Sequence, residues 1–187
     1  MNIAIHAGHA VVGSRGACKY MDEVKKNRLL KKHMIKTFKK EKGVTVKDLT
    51  VHTGTQRQVL NGIKNNFLRK CKKKGDWLNV SLHLNFSDNW RANGFEILVT
   101  PKMFADRSKR ANLEAICEEF CERTCFENRG VKKSSSLFVL NNLPNCVLCE
   151  VGFVTSRKDM KIYEMLHSKR IACILAECML KYGKELL

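Results

Sequence analysis

Short apolar runs alternate along this chain with longer stretches of helical period, and that alternation restricts the fold more than any other feature. Residues 2–6, 44–52, 77–84, 94–100, 136–140 and 146–151 carry the apolar or alternating pattern of strands, several closed by Gly, Pro or Asn. Residues 22–42 place Val24, Leu29, Leu30, Met34, Ile35 and Phe38 near a 3.6-residue period, with lysines opposite and Gly43 as a helix end. Residues 56–74 and 105–126 read as further helices, and residues 157–187 as a last long one. The segments 10–20 and 86–93 and the break at Asn128-Arg129-Gly130 read as loops. Strands alternating with helices predict an α/β fold with a mixed, mostly parallel central sheet of about six strands flanked by helices. The 187 residues show no internal repeat or low-complexity linker, and predict a single domain over 1–187.

Charge narrows the partners. Thirty-five Lys and Arg face eighteen Asp and Glu, a formal net charge of +17. Such a field favours anionic polymers, and nucleic acid and a phosphate-rich cell wall match it equally well. Aromatic content is only 7% and no zinc-finger, RNA-recognition or helix-turn-helix signature is present, which weighs against nucleic acid. Lys25-Lys26, Lys31-Lys32, Lys39-Lys40 and the lysines of residues 70–74 read as solvated helix faces.

The nine cysteines are odd in number and read as free thiols of a reducing compartment. Cys146 and Cys149 have metal or redox spacing, but on a strand positions i and i+3 face opposite sides, so packing is expected. Cys117, Cys121 and Cys125 form a helical stripe expected in the core. No basic-then-apolar leader opens the sequence and no run of about 18 apolar residues occurs, so cytoplasmic synthesis and no membrane insertion are expected.

The chemistry gathers where strands end. His9 follows the first strand, His83 and Asn85 close the 77–84 strand, Glu150 closes the 146–151 strand, and Glu23 opens the first long helix. Ligands of α/β sheets sit at those carboxyl ends. Two His and one carboxylate with an open fourth position are a common catalytic zinc set. A further carboxylate can then carry a proton from water to a leaving amine. Glu150 is the candidate, because a carboxylate within Val147-Leu148-Cys149-Glu150-Val151-Gly152-Phe153 is costly unless paired or functional. Singly, each His reads as well as a satisfied polar group, and Glu23 as a carboxylate favouring the helix dipole. A cysteine nucleophile has no supporting motif.

Six pieces in order make the pattern specific: Gly8-His9; Glu23 with Asn27; Ser81-Leu82-His83-Leu84-Asn85; Gly94-Phe95-Glu96; Asn128-Arg129-Gly130; and Pro144-Asn145 running into the Cys146–Phe153 stretch. With them the chain resembles the zinc-dependent N-acetylmuramoyl-L-alanine amidases of autolysins and phage endolysins, and the clostridial endolysin branch above all. The resemblance implies a zinc ion held by His9, Glu23 and His83, with Glu150 as acid/base. It implies hydrolysis of the amide between N-acetylmuramic acid and L-alanine in peptidoglycan. Asn85 and Arg129, within the matching pieces, are expected to contact substrate. The basic surface is expected to hold an anionic wall, and the protein to act as a monomer released in the manner of a phage lysin. The pattern departs in places. Ala10-Val11 stand where many members have two glycines, His6 where many have Asp, and no Arg is evident near residues 51–55. His6 is expected to support a ligand or pack in the core. A nucleic-acid binder and an interaction-only protein without metal are the rival classes.

Overall fold

Alternation within the strands puts one set of side chains on each side of a six-stranded sheet. In the computed structural model, which describes residues 1–71 and 76–187, the strands are β1 (Asn2–Ala7), β3 (Thr45–Asp48), β5 (Trp77–Asn85), β6 (Phe95–Val99), β7 (Asn128–Lys133) and β8 (Cys146–Phe153). Their order is β3-β1-β5-β8-β6-β7, with every pair parallel except β6 and β8. Two-residue strands β2 (Val12–Gly13) and β4 (Thr53–Gly54) form a separate small parallel pair. Ile3 and Ile5 join the larger core under the helices α1 (Glu23–Phe38), α4 (Arg107–Thr124) and α6 (Arg157–Tyr182), whereas Ala4 faces the smaller core under α2 (Gln56–Lys70) and α5 (Phe138–Asn142). Helix α3 (Pro101–Ala105) starts where Pro101 ends β6. The α/β fold with a mixed, mostly parallel sheet is as the sequence predicts.

Side chains cap the helices that carry the site. Asp22 accepts from Lys25 N at 2.9 Å to start α1, and Thr55 and Gln58 form a reciprocal capping box on α2. Asp159, fully buried in the first turn of α6, accepts from Gly94 N at 3.0 Å and Phe153 N at 2.8 Å. This carboxylate ties the end of β8 and the start of β6 to one helix.

Several expectations are corrected. Residues 136–140 are not a strand; the run is helix α5, whose Val139 and Leu140 pack beside Val59 and Ile63 of α2. A five-residue apolar run carries no period that distinguishes the two. Asn128-Arg129-Gly130 does not merely break a helix but opens edge strand β7, where Asn128 Oδ1 accepts from Gly130 N across a left-handed glycine and the register shifts. Helix α1 ends at Phe38, so Gly43 lies in the turn beyond it. The last helix breaks at His167, which has φ 56°. Lys31 is buried rather than solvated, bonding Asp48 at 2.7 Å and Thr50 at 2.9 Å. All nine cysteines are free, and Cys146 and Cys149 do face opposite cores. Cys125 leaves the buried stripe, exposed as the left-handed cap of α4. Most of the lysine run in residues 70–74 lies outside the described residues. Among the described residues no helix is long and apolar enough to cross a membrane.

Asp159→Ala leaves two buried backbone N–H groups without their acceptor, and should destabilise the protein by about 3 kcal/mol. Urea unfolding checks this; a midpoint shift corresponding to under about 1 kcal/mol would contradict the tie.

Candidate metal centre

Strand β1 ends in a turn that aims His9 back over the sheet. His9 has φ 59°, a left-handed conformation that costs a non-glycine residue energy and persists only where its surroundings hold it. The hold comes from Arg28 of α1, whose guanidinium donates to the His9 carbonyl at 3.0 Å and to those of Gly8 and Val51 at 3.4 Å. Residues 51–55 carry no Arg; Arg28 reaches Val51 from α1 instead. Gly8 is needed for close approach: a Cβ there would meet His83 Cε1 at 2.1 Å. A Cβ on Gly16 would meet Glu23 Oε2 at 2.4 Å.

Glu23 is the junction of the site. It is buried, and its Oε1 lies 3.0 Å from His83 Nδ1 and 3.4 Å from His9 Nε2. Oε1 also accepts from Leu84 N at 3.3 Å and Asn27 Nδ2 at 3.4 Å, while Oε2 accepts from Ala17 N at 2.9 Å. The two imidazoles stand 5.2 Å apart with planes at 76°. One ligand atom from each of His9, Glu23 and His83 lies within 4.8 Å of the others, a donor set suited to zinc. Burial alone would raise the Glu23 pKa, but the hydrogen bond and charge of His83 with the charge of His9 bring it below the ordinary value. Burial disfavours the His83 cation, yet Glu23 and Glu150 together raise its pKa. In His9 burial prevails over Glu23, and the pKa falls.

Glu150 is set beside this group by strand register. It pairs across β5–β8 with His83 and across β8–β6 with Glu96, so the three side chains form a row on one face. Its Oε2 is buried without a hydrogen-bond partner among the described residues, and burial raises its pKa to about 7, with Glu23 and Glu96 adding to the rise and His83 opposing it. The strand runs past it to Phe153, so Glu150 is not the strand's last residue. Glu96 has the opposite surroundings: Lys132 and Arg129 bind one oxygen, Arg129 Nε at 2.6 Å, and Asn85 donates to the other at 3.0 Å. Burial opposes its ionisation, but those two cations hold its pKa down.

Asn85 and Arg129 thus come together, as expected of neighbours, but their hydrogen bonds go to Glu96 rather than to His9, Glu23 or His83. Glu96, which gathers them, has a sequence signal of its own: like Glu150, it is a carboxylate inside an apolar strand, Phe95–Val99. His6 lies in the core on the α2 side, fully buried, with neither ring nitrogen hydrogen-bonded among the described residues. Burial chiefly lowers its pKa to about 3, so it is neutral. With His83 and Gly8 it lines a cavity of about 50 Å³.

Glu150 carries a stability signature. A folded-state pKa raised from 4.5 to about 7 means the folded protein binds that proton more tightly than the unfolded chain. Stability is then lost as pH rises from 4.5 through 7, by about 3 kcal/mol in total. Chelator-treated Glu150→Gln should match the chelator-treated parent at pH 4.5 and exceed it at pH 8. Urea unfolding at both values measures this, and an identical gap at the two would contradict the shift.

Comparison with known proteins agrees with the geometry. The catalytic domain of the CD27L endolysin targeting Clostridia difficile shares 26% identity over 97% of both chains, with a TM-score of 0.76. The CwlD amidase from Clostridioides difficile, solved in complex with the GerS lipoprotein, superposes with a TM-score of 0.78 at 22% identity over 98% of each chain. AmiC2 of Nostoc punctiforme, an N-acetylmuramoyl-L-alanine amidase, gives 0.79 at 21% identity, covering 98% of this chain and 97% of its own. An uncharacterised 38.4 kDa protein of Clostridium perfringens is 28% identical over 185 residues; the chain spans about half that relative's length. The N-acetylmuramoyl-L-alanine amidase family, Amidase_3, matches residues 3–173, and the chain belongs to that family.

Proposed function

We propose that the chain hydrolyses the amide bond between N-acetylmuramic acid and L-alanine in peptidoglycan, as a zinc enzyme of the endolysin type. The observation that carries this is one buried carboxylate, Glu23, held between two imidazoles, with Glu150, whose Oε2 has no hydrogen-bond partner among the described residues, in register beside them. Two nitrogen donors and one oxygen donor suit zinc better than the all-oxygen shells of magnesium or calcium. A zinc ion held there by His9, Glu23 and His83 would supply a Lewis acid for the scissile carbonyl and the attacking water.

The chain's own residues do the rest. Glu150, in its ionised form, takes a proton from the attacking water at its free Oε2 and returns it to the departing alanine nitrogen. A pKa near neutrality suits it to both transfers. Glu96 cannot replace it, because its oxygens are committed to Lys132, Arg129 and Asn85. Asn85 and Arg129, fixed by Glu96 at the mouth, offer an amide and a guanidinium to the polar backbone of the substrate. Arg28 and the two close-approach glycines keep the ligand histidines in place.

Purified protein should hold zinc stoichiometrically and release new amino termini from bacterial walls. Glu150→Gln should keep the metal yet lose roughly a thousandfold or more in cleavage rate, and His83→Ala should lose both. Metal analysis beside a wall-hydrolysis assay checks each arm, and undiminished cleavage by chelator-treated protein would defeat the proposal.

A further inference from the structure

Three of the loops that leave this rim of the sheet enclose a second concavity. One lies between β1 and α1 and carries Lys19 and Tyr20; one follows β5 and carries Trp90 and Arg91; the third follows β8 with Thr155 and Ser156 and leads into Arg157 and Lys158 at the start of α6. The groove holds about 510 Å³, the size of sites that seat ligands of a few rings. Backbone bonds fasten it to the catalytic rim. Tyr20 N donates to Val154 O at 3.0 Å, Val154 N to Asn85 O at 2.8 Å, and Arg129 reaches Asn93 O on the groove wall at 3.4 Å.

Its chemistry is unusual for an unassigned surface. Trp90 is 78% exposed, by far the more accessible of the two tryptophans, and Tyr20 is exposed across from it. Arg91 sits over the Trp90 ring at 5.0 Å, and Arg157 over the Tyr20 ring at 5.1 Å. Lys19 Nζ also lies over the Tyr20 ring, at 5.5 Å, so these stacks hold three cations at the groove. Among the described residues no carboxylate lines the groove. Lys158 pairs with Glu127, but Lys19, Arg91 and Arg157 have no ion-pair partner among the described residues. Aromatic faces beside uncompensated cations suit a chain of rings bearing negative charge.

We propose that this groove binds the glycan strand of the wall and holds it most tightly after the stem peptide has been removed. The proposal rests on the amidase function above. Hydrolysis adds water across the amide: hydroxyl goes to the lactyl carbonyl carbon and hydrogen to the alanine nitrogen. Near neutral pH the glycan keeps a carboxylate and the peptide leaves with an ammonium group. A neutral junction thereby becomes an anion on the glycan side and a cation on the peptide side. The arginines attract the first and repel the second, while the pyranose faces lie on Trp90 and Tyr20. The strand stays in place as the peptide departs, which keeps the next stem near the rim. Single-stranded nucleic acid has a similar outline of rings and anions. The continuity of the groove with Asn85 and Arg129 favours the glycan.

The test is equilibrium binding of stem-free glycan fragments to the whole zinc-loaded protein, followed by tryptophan emission. Trp77 is buried, so Trp90 reports the groove. Saturable binding at low salt is expected, weakened roughly tenfold or more in R91A/R157A and weakened also when the lactyl carboxylates are converted to methyl esters. Unchanged zinc content and circular dichroism show that the variant is folded. Glycan that fails to bind, binds equally to R91A/R157A, or is outcompeted by an oligonucleotide or free stem peptide of equal charge overturns the proposal. The fragments contain no amide bond to the stem, so the result is separate from catalysis. Binding without wall cleavage would sink the amidase function alone, and cleavage without binding would sink the groove alone.

Discussion

A carboxylate removed from water between two imidazoles is costly unless every oxygen has a partner, and the geometry around Glu23 supplies them. Its position dictates much else. Glycine stands at 16 because Oε2 occupies the space of a side chain, and glycine stands at 8 because His83 must approach the β1 turn. His9 takes a left-handed conformation to face Glu23, and Arg28 is drawn in to hold three backbone carbonyls around it. The start of α1, the end of β1 and the end of β5 are therefore one unit. A change at any of these places alters the same few ångströms.

The sheet order sets Glu150 beside His83 rather than within the group of His9, Glu23 and His83. β5 and β8 are central neighbours, so His83 and Glu150 face each other across one ladder, and antiparallel β6 adds Glu96 to the row. Like charges along such a row repel. The conflict is relieved at both ends: His83 faces Glu23, and Glu96 faces Arg129 and Lys132. The middle carboxylate has no hydrogen-bond partner for its Oε2 among the described residues; burial raises its pKa, Glu23 and Glu96 add to the rise, and His83 opposes it only in part.

Much of this was legible in the sequence because polar residues at the ends of apolar strands are conspicuous. His9, His83 and Glu150 could be placed on one rim from strand pattern alone, and Glu23 by its position at a helix start. Convergence of these positions did not follow from pattern, since it depends on a positive φ at His9 and on close approach at Gly8. Helix α5 was missed because five apolar residues have no resolvable period, and β7 because an edge strand can be built from residues that otherwise mark turns. Glu96 has the same sequence setting as Glu150, a carboxylate inside an apolar strand, and what separates the two is the pair of cations that tertiary structure brings to Glu96. The sparse aromatics weighed against a stacking surface, yet Trp90 and Tyr20 are brought together by loops far apart in the chain. Composition counts such residues but does not place them.

The +17 charge is not spread evenly over the functional rim. Glu23 and Glu96 form its buried interior with the partly buried Glu150 beside them, while the mouth and adjoining groove present Arg129, Arg91, Arg157 and Lys19. Cations so placed would attract an anionic polymer toward the rim in the proposed reaction, an effect that fades with salt. Inside, separation of the carboxylates divides the labour. Glu23, stabilised as an anion by two imidazoles, suits permanent ligation. Glu150, raised toward neutrality by burial, suits transient proton transfer. Exchanging the two environments would leave the same residues present and neither task served. In the proposed reaction it is the difference between these two carboxylates, more than the identity of either, that separates holding a metal from moving a proton.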